Sequence, residues 1–365
     1  MKVVVTGTRG IPDIQGGVET HCQELFPLIA AEGVDVTVCR RRCYAKDNLT
    51  EFRGVKIKDL YAPRKKSIEA AVSTLLGVIY ARRVKADWVH IHAVGPSIII
   101  PVAKLLGLKV IMTHHGFDYE RKKWGKIARW AIKTGEKMAA RFADKIIVIS
   151  RPIAQRMAEE YGRTDTHLIY NGVPAARPSA NTDYITSLGL TPGKYVFALG
   201  RLVPEKNFHQ LVEAFDVEGY KLVIAGEPDH PDEYSANLKR QGAAAGAVMP
   251  GFVHGEQLNQ LMTNAALFVL PSSHEGLPIT LLEAMSYGRD VLVSDIPANQ
   301  LEQLSPADFF PVNNVEALRQ KLREKLAAPT PHRPYDLTPY NWPAIATPII
   351  LFYEDWIYIQ MLGCR

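Results

Sequence analysis

The residues best suited to chemistry lie in short loops that follow strand-like runs. In PSSHEGLPITLLEAMSYG, Glu275 and Glu283 are eight residues apart, slightly over two helical turns, with Gly276, Leu277 and Pro278 between the first carboxylate and a helix-like segment. That spacing is expected to put both carboxylates on one side of a cleft, where they can accept hydrogen bonds from sugar and ribose hydroxyls. Backbone N–H groups around Gly276 and Leu277 are suited to phosphate oxygens. In LGRLVPEKNF, Arg201 and Lys206 flank a turn containing Pro204 ahead of a second helix-like segment. Two cations and a helix N-terminus outline a diphosphate clamp. Gly226, ending KLVIAG, joins this donor-binding set.

The first half carries a second set. GTRGIPDIQGGVETHCQELF does not fit the dinucleotide fingerprint G-x-G-x-x-G. Gly16 and Gly17, ahead of a helix, would still let backbone N–H groups approach a phosphate or sugar; a ligand-free tight turn is the alternative. In THHGFDYERKKWGK, His114 and His115 fall where a strand meets its loop, a place from which to orient or polarise a hydroxyl. Histidines satisfied by backbone carbonyls are the alternative, and metal ligation is disfavoured because nothing at metal-like spacing accompanies the pair. Residues 120–143 read as a basic amphipathic helix. Arg121, Lys122, Lys123, Lys126, Arg129, Lys133, Lys137 and Arg141 are interleaved with Trp124, Ile127, Trp130 and Phe142. That pattern suits a helix lying on an anionic membrane surface, against an ordinary surface helix whose tryptophans pack inward. No nucleic-acid-binding motif is present.

These loops need strands to position them. Apolar, β-rich runs occur at 2–7, 35–39, 88–92, 109–113, 145–150 and 167–172, then at 195–200, 221–226, 248–253, 267–272, 290–295 and 308–312, alternating with helix-length segments. This is the βαβ pattern of a parallel sheet covered by helices, given twice. The reading is α/β, with two Rossmann-like, doubly wound domains facing a central cleft, residues 1–172 and 195–340. A Pro- and Gly-containing linker at 173–194 joins them, and an apolar helix follows at 341–365.

Composition narrows the class. The chain has 365 residues, 47% apolar and 22% charged, which excludes disordered and collagen-like chains. Residues 1–170 carry 29 basic against 17 acidic side chains and residues 171–365 carry 14 against 21, so the basic half suits anionic partners. The four cysteines form no C-x-x-C pair and read as reduced thiols. No apolar run reaches membrane-span length, and MKVVVTGTRG lacks a signal-peptide apolar region, so a cytoplasmic chain is expected, with peripheral contact to the inner face of the cell membrane.

With its E-x7-E element from Glu275 to Glu283, its Gly200-Arg201…Glu205-Lys206 element, its GTRGIPDIQGGVET opening and its HGFDYERKKWG stretch, the sequence resembles family 4 glycosyltransferases of the GT-B fold nearly end to end. Within them it is similar to bacterial rhamnosyltransferases and other surface-polysaccharide enzymes. The resemblance implies a retaining transfer of a hexosyl or deoxyhexosyl group from a nucleotide-diphosphate sugar to a glycan or lipid-linked acceptor. A deoxythymidine- or uridine-diphosphate sugar comes before guanosine diphosphate mannose as donor. It implies that Arg201 and Lys206 hold the donor diphosphate and that Glu283 binds the ribose. Glu275 would lie by the donor sugar, and Gly276, Leu277 and Pro278 would support the phosphates. Gly17, beside Gly16, would close over the phosphate, and His115 would contact the transferred sugar. His115, Arg201, Lys206 and Glu275 are the expected catalytic residues. No cofactor is expected, and no Asp-x-Asp occurs to hold a divalent ion on the diphosphate. The last helix, 342–362, is expected to cross back to the first domain. Three places depart from the family pattern: Asn207 where relatives carry Gly, Arg289-Asp290 where a small or apolar pair is commoner, and the unmatched stretch 327–341. A catalytically silent nucleotide-sugar-binding or scaffold protein on the same fold, or a nucleotide-sugar epimerase, is the alternative.

Overall fold

Strands covered by helices on both faces are buried on both faces, and so read as unbroken apolar runs rather than alternating ones. Val3, Val4 and Val5, for example, are all fully buried. The computed structural model describes residues 1–362 apart from 46, 64–67, 121–124 and 229–230, with side chains described up to 354. The chain divides into two units, Met1–Gly172 with Pro339–Arg365, and Val173–Thr338.

In the first unit the strands are β1 (Lys2–Thr6), β2 (Asp35–Arg41), β3 (Glu51–Phe52), β4 (Val55–Leu60), β5 (Trp88–His92), β6 (Lys109–His114), β7 (Lys145–Val148) and β8 (Thr166–Leu168). They form one sheet in the order β3-β4-β2-β1-β5-β6-β7-β8. All neighbours are parallel except β3 and β4, a hairpin absent from the sequence-based expectation. Its turn residues Arg53 and Gly54 both have positive φ, 48° and 83°, which matches the right-handed twist of a two-residue hairpin. The order reverses between β1 and β5, so the chain leaves the carboxyl ends of these adjacent strands in opposite directions and opens a crevice there.

The C-terminal helix Trp342–Leu362 belongs to this first unit. Its Trp342, Ile345, Ile349 and Tyr353 enter one core with Cys22, Leu25, Phe26 and Ile29 of the helix Gly17–Ala31. Gly172 is required at this contact, since a Cβ there would lie 2.3 Å from the Trp342 ring.

In the second unit the strands are β9 (Tyr195–Leu199), β10 (Lys221–Ala225), β11 (Val248–Gly251), β12 (Leu267–Leu270), β13 (Val291–Ser294) and β14 (Phe309–Phe310). They are all parallel in the order β11-β10-β9-β12-β13-β14, with the reversal between β9 and β12. Residues 173–194, read from sequence as a linker, fall within this unit and include the helix Asp183–Ser187, where Tyr184 N donates to Gln260 Oε1 at 2.9 Å.

Two of the sequence's departures turn out to be each other's partners. Asp290 and Asp308 are buried and share Lys325 and Arg333, with Lys325 Nζ 2.8 Å from a carboxylate oxygen of each and Arg333 Nη1 2.7 Å from Asp308. The unmatched stretch covers the Gly288-Arg289-Asp290 turn. Arg333 N donates to Gly288 O at 2.8 Å, and Tyr335 OH donates to Arg289 O at 3.0 Å.

Candidate functional site

In the second unit the switch-point loops are those following β9 and β12, and they are tied together. The turn Pro204–Lys206 follows β9, and Ser273, in the loop after β12, donates its backbone N–H to Glu205 O at 2.8 Å. One step outward, Lys206 Nζ lies 2.5 Å from Glu275 Oε1, both side chains only 12% exposed. Burial alone would push the Glu275 carboxyl up; the Lys206 ammonium outweighs it and holds the group below the usual carboxylate range. Asn207 has φ 52°, a left-handed position that Gly and Asn tolerate, which explains why Asn can stand there.

The helical-spacing argument for the two glutamates needs correction. Only Glu283 is helical, on Ile279–Ser286; Glu275 lies in the preceding loop, and Lys206 rather than helical periodicity fixes it. Leu277 is buried and Pro278 caps that helix, so Gly276, Leu277 and Pro278 do lead from the carboxylate into a helix N-terminus. Arg201 follows β9 after one intervening residue, Gly200, and is partly buried. Gly226 follows β10 with φ 135°, its N–H donating to Gly251 O at 2.7 Å.

In the first unit, the loop after β1 is closed by Glu19, a residue the sequence reading passed over. Its Oε1 accepts from Thr8 Oγ1 and from Arg9 N, both at 3.0 Å. Gly16, at φ 148°, holds a backbone conformation that L side chains rarely adopt, and a Cβ there would also crowd Glu19 Oε2 at 2.0 Å. Gly17 opens the helix Gly17–Ala31, and a Cβ there would touch nothing within 4 Å. The protein itself therefore has no steric need for glycine at 17, and its bare backbone leaves room for something else.

His114 and His115 separate at the end of β6. His114 turns inward, with Nε2 2.7 Å from Glu136 Oε1 in a fully buried pair to which Tyr161 OH also donates, at 2.7 Å. Burial would raise the Glu136 carboxyl, and the hydrogen bond and charge of His114 hold it down. His114 is structural. His115 faces the other way and is partly exposed, its Nε2 2.9 Å from His92 Nδ1 with the rings stacked at 5.2 Å. His21, on the helix after the glycine loop, packs edge-on against His115 at 4.9 Å, and its Nδ1 lies 3.0 Å from Asn171 Oδ1. Burial pushes His21 down to about 4 and His92 and His115 well below the ordinary imidazole range, so the rings are neutral. His21, His92 and Asn171 were not anticipated. The rule that singled out His115, a histidine where a parallel strand ends, applies equally to His92 at the end of β5.

The helix expected at 120–143 spans Lys126–Phe142. Arg121, Lys122, Lys123 and Trp124 lie outside the described residues. Ile127 and Trp130 are 84% and 69% exposed, so Trp130 does not pack inward. Lys126, Arg129, Lys133, Lys137 and Arg141 are exposed on the same helix. Among the described residues no helix is long and apolar enough to cross a membrane.

Two family models cover most of the chain: Glycosyltransferase Family 4 over residues 15–177 and Glycosyl transferases group 1 over residues 183–335. The chain is 25% identical over 330 residues to the UDP-Gal:alpha-D-GlcNAc-diphosphoundecaprenol alpha-1,3-galactosyltransferase of Escherichia coli, covering 85% of this chain and 84% of that protein. Its fold is similar to that of sucrose-phosphate synthase from Thermosynechococcus elongatus, with a TM-score of 0.79, 20% identity and all of both chains covered. It is similar too to that of HepE from Anabaena in complex with UDP-glucose, with a TM-score of 0.73, 17% identity and all of both chains covered. The switch-point loops of both sheets thus sit in a chain whose two halves each match a glycosyltransferase model. It belongs to the family 4 glycosyltransferases, sugar-transferring enzymes of the GT-B fold.

Proposed function

We propose that this chain is a retaining, metal-independent transferase. It would move a hexosyl or deoxyhexosyl group from a uridine- or deoxythymidine-diphosphate sugar to a hydroxyl of a lipid-linked glycan, in cell-surface polysaccharide synthesis. The observation that carries this is the 2.5 Å contact of Lys206 Nζ with Glu275 Oε1 at the β9/β12 switch point, which pre-positions a cation beside a carboxylate and a helix N-terminus. Breaking the bond between the anomeric carbon and the phosphate oxygen leaves negative charge on the departing diphosphate. Arg201, Lys206 and the N–H groups at Gly276 and Leu277 stabilise that charge without reorganising. Glu283 accepts from the ribose hydroxyls, Glu275 orients the donor sugar, and the room at Gly17 admits a phosphate. His115, a neutral ring, hydrogen-bonds the transferred sugar. The acceptor hydroxyl attacks on the face the diphosphate leaves, and its proton passes to the departing phosphate oxygen. The E. coli relative's diphosphoundecaprenol acceptor and the UDP-glucose held by HepE support the lipid-linked acceptor and the uridine donor. The exposed Ile127 and Trp130 among basic residues support docking on an anionic membrane surface.

A thermal-shift screen against uridine, deoxythymidine and guanosine diphosphates and their sugars, with and without EDTA, tests the donor. A ligand at 100 times its Kd adds about 2.7 kcal/mol. One base is expected to stand out, unaffected by EDTA; no shift with any of them would sink the reading. Lys206→Ala is expected to lower kcat by about 10²–10³-fold, as loss of one donor to a developing anion does. Turnover like that of the wild type would undo the site.

A further inference from the structure

We propose that His21, His92 and His115 form a binding site for a borderline divalent cation such as Zn2+ or Co2+. The three rings come from different elements: the helix Gly17–Ala31, the end of β5 and the loop after β6. Each offers one ring nitrogen, and these nitrogens all lie within 4.8 Å of one another. A tetrahedral ion with metal–nitrogen bonds of about 2.1 Å spaces its ligands about 3.4 Å apart. His92 Nδ1 and His115 Nε2 are already 2.9 Å apart, so small ring rotations complete the set.

A second observation is independent of this convergence. His21 is 1% exposed, and its Nε2 atom is enclosed with no hydrogen-bond partner among the described residues. Buried polar atoms ordinarily have one. At His21 the cause is explicit. Asn171 Oδ1, at 3.0 Å from Nδ1, can only accept, so the ring proton stays on Nδ1 and Nε2 keeps a bare lone pair. A hydrogen bond from the far ring nitrogen to a fixed oxygen is what orients a metal-binding histidine. With imidazoles alone and no carboxylate, the set suits zinc, cobalt, nickel or copper rather than magnesium or calcium. Each neutral ring keeps one N–H and gives its other nitrogen to the ion, so no proton is released. The His92–His115 hydrogen bond is given up, and the partly exposed His115 provides the way in.

One consequence rests on the function proposed above: an ion held by His115 withdraws that ring from the transferred sugar, so occupancy inhibits transfer. The test uses the full chain stripped of metal. Equilibrium dialysis against Zn2+ is expected to leave one ion per chain, and Co2+ to give a tetrahedral visible spectrum that Zn2+ abolishes. His21→Gln and His92→Gln, checked by circular dichroism without metal, are expected to lose both signals. No retained ion in the wild type, or an unchanged Co2+ spectrum in the folded variants, overturns the site. X-ray absorption of the zinc-loaded wild type needs no variant: three imidazole ligands sustain the site and fewer overturn it. Transfer rates are read separately. Three-imidazole binding with undiminished transfer would leave the site standing and remove His115 from the catalytic reading.

Discussion

In the C-terminal sheet the switch-point loops meet through charge, Lys206 on Glu275, whereas in the N-terminal sheet the corresponding strand ends meet through uncharged imidazoles, His92 on His115 with His21 beside them. Elsewhere in the two units the same division between charged and neutral groups recurs. At the opposite, amino-terminal edge of the C-terminal sheet, just ahead of β13 and β14, Asp290 and Asp308 are held by Lys325 and Arg333. Behind the N-terminal histidines, His90 stacks on His92 at 4.4 Å and is held by the hydroxyls of Thr113 and Tyr353. A diphosphate must be met by fixed cations, and a fixed cation next to a carboxylate needs less solvent to keep it charged. A sugar ring offers neutral hydroxyls, which neutral rings serve without the desolvation cost of an ion.

The buried ion cluster of the C-terminal unit should therefore fail more severely when cut. Asp308→Ala leaves Lys325 and Arg333 facing Asp290 alone, and breaking a buried ion network of this kind typically costs about 3–5 kcal/mol. Urea denaturation measures it; a loss under about 1 kcal/mol would mean that the network adds little and the contrast is only cosmetic. A smaller effect follows from pH. Burial would raise the Asp308 carboxyl, but Arg333 and Lys325 outweigh it and bring it from 3.8 down to about 2. A depressed acid adds stability that is complete above the unfolded value and is lost as pH falls toward the folded one. The wild type should then lose roughly 2 kcal/mol between about pH 5 and pH 2 on this account. Asp308→Asn should show a shallower acid limb, and an identical limb would assign the loss to other carboxylates.

What the sequence disclosed differs between the two regions for a physical reason. All twelve apolar runs contain strands; the central ones are buried on both faces and cannot hide their composition, while β8 and β11, at sheet edges, are only partly covered. The β3–β4 hairpin escaped because VKIKDL alternates at a sheet edge, and only the Arg53-Gly54 turn announces it. That Arg201, Lys206 and Glu275 follow strands within short motifs was legible; the pairing of Lys206 with Glu275 was not, because it joins two loops across the switch point. The histidine set was less legible still. Its members come from three elements, so no spacing along the chain betrays them, and nothing at metal-like spacing accompanies His115. Arg289-Asp290 and the stretch 327–341 likewise looked like separate oddities, because only the fold brings Arg333 to Asp290 and Asp308.

The neutral layer can be probed more finely through its proton positions. Tyr353 OH is 2.6 Å from His90 Nδ1, and Thr113 Oγ1 is 2.7 Å from His90 Nε2. Burial pushes the Tyr353 phenol well above its ordinary range, so it keeps its proton. A protonated Tyr353 can serve either His90 tautomer; in the one with the ring proton on Nε2, Tyr353 donates to Nδ1 and the ring donates to Thr113. Removing each hydroxyl then has a different cost. Thr113→Val strands a buried N–H, which costs about 1–3 kcal/mol, whereas Tyr353→Phe strands only a lone pair and should cost about 1 kcal/mol. Urea denaturation of the two variants side by side decides it. If Tyr353→Phe proves the more damaging, the ring carries its proton on Nδ1, and Tyr353 tethers the C-terminal helix as an acceptor instead of a donor.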